Sequence, residues 1–460
     1  MKSKAKGWHN RSLGRLSEAC PDKGDELNEL IRFPARVVTG VLANGLRVVT
    51  VETPHLHTAS VGLYVRTGSR YETPANNGLS HFVEHMLFRG SARYPSSYAL
   101  NSAFEDRCGM LCGETGRDYS LYQVQPKPAD LPVVLEIFGD LFSAPLFIDI
   151  DLERAIVLEE ILDDFDEHGQ RTTVDDIARG RAWPDHPLGF PITGPEDNIR
   201  RFTRGEVQAH FRRYHGARNL VLAVAGPLEG AKVMAAAGKA LASLPPGRVR
   251  SPRPAPRGVA GPSLHCVRTD SPQVEVQILF RALADDHPRF PALIAFLRLL
   301  DDGMSTPLHY RVCDRRGLAY HVNAGLDPLA DTSLLEITAA CASEKLPELV
   351  REIFSILCEL RDRPIAAAAI AKARHRYARD LEAGFDDVDG LCNWFGDSLL
   401  FGRPLRSPSE RYIRMAEVDA AQIQEVAREV LRPDRLVVAA VGSFDRSLVR
   451  AVGALVRGFA

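Results

Sequence analysis

The chain has 460 residues, of which 45% are hydrophobic and 25% charged, and a net charge of −2, the proportions of a globular protein too long for one ordinary core. No long run of one sign is present, so nothing points to nucleic acid, and substrates of mixed charge are allowed. No segment reaches the roughly 18 consecutive apolar residues that a membrane span needs, and eight scattered cysteines suit a reduced intracellular protein rather than a disulfide framework.

The first residues, MKSKAKGWHNRSLGRLSEAC, are basic, free of acidic residues before Glu18, and lack the apolar core of a secretory signal. They imply a cytoplasmic protein, with the mitochondrial matrix as the alternative, and residues 1–34 read as a polar extension. Strand-like segments follow, GLRVVTVE at 45–52 and ASVGLYVRTG at 59–68. Next comes NGLSHFVEHMLFRG, residues 77–90. On a helix, His81 and His85 stand one turn apart on the same face, and both imidazoles can reach one ion at about 2.0 to 2.1 Å. Glu84 projects about 60° to the side of His81, where it can hold a water without taking the same coordination position. The order His-x-x-Glu-His is the inverted zincin pattern. Two solvated helical histidines would give the same spacing, so a third ligand has to decide. Cys108 and Cys112, the only close cysteine pair, have no second pair nearby to complete a zinc or redox site.

Candidates for the third ligand lie in DLERAIVLEEILDDFDEHG, residues 151–169, a helical segment. Glu153 and Glu160 are two turns apart and share a face. Glu160 is expected within an apolar stripe of Ile156, Val157 and Ile161, whereas Glu159 points about 100° away. A carboxylate on a buried stripe needs a partner, and a metal is a good one.

Further along, VQAHFRRYHGARNLVLAVAG (207–226) returns as IQEVAREVLRPDRLVVAAVG (423–442), aligning Gln208 with Gln424, Leu220 with Leu436 and Gly226 with Gly442. Each copy is an amphipathic helix, a turn at Gly216 or Pro433, and a continuous apolar run typical of a buried strand. The chain is therefore expected to hold two copies of one domain, at 35–243 and 264–460. Between them LPPGRVRSPRPAPRGVAGPS, residues 244–263, has six prolines and three glycines, which sustain neither helix nor ladder, and reads as a linker. The second copy opens with the strand-like QVEVQILFRA, residues 273–282. Short strands returning after long helices suggest α+β domains, each a largely antiparallel sheet with helices packed on one face.

Together these segments resemble the pitrilysin, insulysin and mitochondrial processing peptidase family, the inverzincins. The resemblance rests on GLSHFVEHMLFRGSARYP, FEDRCGMLCGETGRDYSLY, LERAIVLEEI and LDDGMSTPLHYRVCDRRGLAYHVNA, and runs from about residue 38 to the end. It implies a zinc ion held by His81, His85 and Glu160, with Glu153 supporting from behind. Glu84 would be the general base, and Tyr320 would contact the substrate from the second domain. The expected activity is hydrolysis of peptides or unfolded segments by a metalloendopeptidase, in a chamber closed by pairing as a homodimer or with a related subunit. A dedicated precursor-peptide maturase is a narrower form of that reading, and a non-catalytic scaffold or peptide-binding subunit is the rival. The sequence departs from the family at Cys112 and Gly113, where many members carry asparagine and alanine, and at Cys313, seven residues before Tyr320, where an arginine is frequent.

Overall fold

The expected repeat is visible in the strand register of a computed structural model, which describes residues 31–257 and 261–460; most of the N-terminal extension lies outside the described residues. The first half forms a six-stranded sheet from β1 (Arg36–Val41), β2 (Arg47–Glu52), β3 (Ser60–Val65), β4 (Cys112–Thr115), β5 (Ser120–Val124) and β6 (Leu220–Gly226), in the order β1-β2-β6-β3-β5-β4. The second forms a five-stranded sheet from β7 (Ser263–Arg268), β8 (Gln273–Ala282), β9 (His321–Pro328), β10 (Ser333–Ala342) and β11 (Leu436–Gly442), in the order β7-β11-β8-β10-β9. Each sheet has one parallel pair, and these share a register: Arg47 faces Val221, and 216 residues on Ser263 faces Val437. All other pairs are antiparallel. Gly226 and Gly442 close equivalent strands at φ 144° and 151°. A Cβ there would lie 2.8 Å from the Ala59 Cα in one half and 2.7 Å from the Val274 Cα in the other, so both repeats need glycine.

Helices of each half cover one face of its own sheet, as expected. The other face is not left to solvent. Helix Val388–Phe401 from the second half lays Leu391, Cys392, Phe395 and Leu400 on Val49, Tyr64, Val221 and Ala223 of the first sheet. Reciprocally, helix Val174–Ala182 from the first half, with Trp183, packs on Leu279, Leu334, Val437 and Ala439 of the second. This exchange explains why β3, β6 and β11 are buried at every residue instead of alternating. Arg179 on the first-half crossing helix reaches Asp327 at 2.6 Å and also pairs with Glu336, both in the second half. Buried Arg70 pairs with Asp118 at 2.9 Å and with Asp331 across the boundary. The described linker residues are irregular up to Ser263, which already opens β7, and the segment is pinned, with the Arg253 carbonyl accepting from Arg70 Nε at 3.0 Å. Among the described residues no helix is long and apolar enough to cross a membrane.

Candidate metal centre

The His-x-x-Glu-His segment folds as a nine-residue helix, Leu79–Leu87, buried at every position except His85. Phe82, Val83, Met86 and Leu87 anchor it in the core of the first half. Its start is fixed by Gly78, at φ 94°, and by Glu72, a buried carboxylate five residues upstream of Asn77. Glu72 accepts hydrogen bonds from the backbone N–H groups of Gly78 (2.8 Å) and Ser80 (2.6 Å) and from the Asn77 side chain (3.0 Å). A carboxylate there satisfies orphan donors and complements the helix dipole.

The second segment forms helix Ile150–Leu162, which packs through Val157 and Ile161. Here the stripe reading needs correction, because Ile156 is 44% exposed and the Glu160 side chain 45% exposed. Glu160 lies at the edge of the buried face, where it meets the histidines, and Glu153 is the buried carboxylate.

The two helices bring five predicted residues together. The Nε2 atoms of His81 and His85 are 3.2 Å apart, Glu160 Oε1 is 3.5 Å from His81 Nε2, and Glu160 Oε2 is 3.3 Å from His85 Nε2. Tetrahedral ligands at about 2.0 to 2.1 Å from zinc stand about 3.3 to 3.4 Å from one another, so this donor set has the chemistry and spacing of three corners of a zinc site. Behind it, His85 Nδ1 bonds Glu153 Oε1 at 2.9 Å, and Arg89 Nη1 meets Glu153 Oε2 at 3.3 Å. Burial and the neighbouring His85 ring hold the His81 imidazole below its ordinary pKa. His85, against its own burial, is pushed up to about 9 by bonds to Glu153 and Glu160. The His85 contact keeps Glu160 below the usual carboxylate range.

Glu84 faces the adjoining edge strand β4. Burial raises its carboxyl above the ordinary range, opposed by a hydrogen bond with the Thr115 side chain. A Cβ on Gly113 would lie 2.7 Å from Glu84 Oε1 and 2.8 Å from the Phe88 ring, which accounts for glycine at this departure. Cys112 is exposed on the same strand, and nothing in the structure explains it.

Tyr320 is not joined to this cluster. It stands 97% exposed before β9 in the second half. Cys313 lies in a single π turn, Tyr310–Asp314, half-buried against the second core. The nearby arginines do not replace the missing one. Arg311 is committed to Glu352 (2.6 Å) and Glu359 (3.1 Å), and Arg316 to Glu348 and Glu352, while Arg315 has no ion-pair partner among the described residues. Glu72, Arg89 and Thr115 were not foreseen; for Arg89 the four-residue spacing from His85 was an available signal.

Comparison with known proteins identifies the family of the chain. Residues 47–196 match the model for the insulinase peptidase family M16, and residues 201–377 match that for the peptidase M16 inactive domain. A protein named an uncharacterized zinc protease from Mycobacterium tuberculosis is 31% identical over 399 residues, covering 85% of this chain and 90% of its own. Among solved structures, a protease from Helicobacter pylori superposes with a TM-score of 0.82 at 20% identity, over 89% of this chain and all of that one. A chain of complex III2 from Candida albicans superposes with a TM-score of 0.73 at 17% identity, over 90% of this chain and 96% of that one. Two domain matches in tandem, a relative aligned along almost its whole length and a shared fold lead to one conclusion: the chain belongs to peptidase family M16.

Proposed function

We propose that the protein is a zinc-dependent endopeptidase that hydrolyses peptides or unfolded segments. The observation that carries this reading is the near-tetrahedral spacing of His81, His85 and Glu160 beside a buried glutamate, Glu84. A zinc ion at these residues would supply Lewis acidity, polarising a carbonyl and bringing the pKa of a water to about 7. Glu153 fixes the tautomer of His85, because a ring that donates from Nδ1 presents a lone pair at Nε2. Glu84 takes a proton from the attacking water and delivers it to the departing amine, tasks suited to a carboxylate whose proton affinity is raised by burial. Among the described residues β4 pairs with β5 alone, so its open edge beside Glu84 can receive an extended peptide as an added strand.

Exposed Tyr320 fits a role at the site of a second chain, a copy of this one or a related subunit, which would close a chamber around the peptide. In a homodimer, Glu84→Gln and Tyr320→Phe would each be inactive alone and would regain part of the activity when mixed. Failure to complement would remove the role in trans.

The hydrolytic reading is tested by zinc content and cleavage of an unstructured peptide. Glu84→Gln should keep its zinc and lose cleavage by about 10²- to 10⁴-fold. Turnover equal to the parent would overturn the assignment of Glu84.

A further inference from the structure

Outside glycine, only two described residues have left-handed backbone, Phe147 at φ 49° and Asp149 at φ 56°. They stand three residues and one residue before helix Ile150–Leu162, which carries Glu153 and Glu160. Left-handed backbone is costly for a bulky residue and tolerated by aspartate, and such strain persists only where the surroundings impose it. Asp149 is also the N-cap residue of that helix, and its side chain makes no capping bond. An aspartate at this position ordinarily caps. Its carboxylate instead turns to Arg89, two residues past the end of the His-x-x-Glu-His helix, with Oδ2 accepting from Nη2 at 3.3 Å.

The same guanidinium meets Glu153 Oε2 at 3.3 Å, and Glu153 Oε1 holds His85 Nδ1 at 2.9 Å. The Arg89 side chain is only 14% exposed and that of Glu153 7%. Beyond Arg89 the backbone completes a clamp between the two helices. Leu146 N–H donates to the Gly90 carbonyl (3.1 Å), Ala92 N–H donates to the Ala144 carbonyl (3.0 Å), and Ser91 bridges Pro145.

We propose that Arg89 and Asp149 are positioning residues for the metal centre: Asp149 orients Arg89, Arg89 holds Glu153, and Glu153 sets the ring of His85. Among the described residues the candidate donor group is His81, His85 and Glu160, without Asp149. Arg89 occupies both acids at once through the two ends of a planar fork, which a lysine cannot do. The left-handed turn places the Asp149 carboxylate on the fork, and the lost cap is the cost of that placement. This inference rests on the zinc reading above.

The test is zinc affinity of the metal-free full chain, measured by competition with a chromogenic chelator, together with its melting temperature. Arg89→Gln should weaken zinc binding about 10- to 100-fold, the range for loss of a residue supporting a metal-ligating histidine. Asp149→Asn keeps the shape and tolerates left-handed backbone while removing the charge, and should weaken binding less, in the same direction. The double variant should be no weaker than Arg89→Gln alone, because Asp149 acts through Arg89. Melting of the metal-free Asp149→Asn protein should stay near the parent, as a purely structural role would not allow alongside weakened zinc binding. If Arg89→Gln does not fold, Arg89→Lys carries the same expectation of weakened binding. Parental affinity in the Arg89 variants, or fully additive losses in the double variant, would overturn the clamp while leaving the zinc reading intact. A parent chain that binds no zinc would defeat both.

Discussion

At the scale of single residues, the centre separates Glu160 from its neighbour Glu159. Glu159 is exposed, while Glu160 lies 3.3 Å from His85 Nε2. Glu160→Gln should release most of the bound zinc and Glu159→Gln should retain it, as metal content of the two purified variants would show; equal retention would count against the ligand set. Gly113→Ala should lower cleavage, because the added methyl displaces Glu84 or the Phe88 ring, whereas zinc content stays parental; undiminished turnover would mean that the strand can withdraw freely. Much of this centre was legible, since helical periodicity alone places His81, Glu84 and His85 in register and pairs Glu153 with Glu160. The stripe argument pointed to Glu160 for an incorrect reason: Ile156 faces outward, and proximity to the histidines distinguishes the residue. Glu72 and Asp149 were not legible, because their roles depend on turn geometry ahead of each helix, which side-chain periodicity does not encode.

At the scale of elements, the repeat at 207–226 and 423–442 invites a comparison inside one molecule. His215 aligns with Leu431, and both are buried. The His215 ring is buried, stacked on Phe211 at 4.4 Å and near Phe142. Burial depresses its pKa to about 3. The unfolded chain takes up this proton below about pH 6.5 and the folded chain does not. The contribution is therefore complete above pH 6.5 and is lost as pH falls toward 3, at about 1.4 kcal/mol per pH unit. His215→Leu should flatten the loss of stability between pH 6.5 and 4 by about that slope, measured from melting or denaturant curves at each pH. Parallel curves for parent and variant would show that the ring is protonated inside the fold. Strands were readable as elements, and the unbroken apolar runs of β6 and β11 already signalled burial on both faces. What covers the second face was not readable. Val388–Phe401 has an ordinary amphipathic pattern, and only the tertiary structure shows that it seals a sheet more than 160 residues away in sequence.

At the scale of the whole molecule, the exchanged helices make the two repeats mutually dependent. Phe395 is fully buried on the first sheet although it belongs to the second half of the chain. Phe395→Ala should cost about 3 to 5 kcal/mol and lower a single calorimetric transition; two separate transitions in the parent would show that the halves unfold independently. The central claim is that His81, His85 and Glu160 hold a zinc ion. Anomalous scattering across the zinc edge, from crystals of zinc-loaded protein, tests it most directly. The expected result is one peak per chain within about 2.0 to 2.2 Å of His81 Nε2, His85 Nε2 and a Glu160 carboxylate oxygen, with Glu153 outside that distance. A peak elsewhere, or one bound without Glu160, would contradict it.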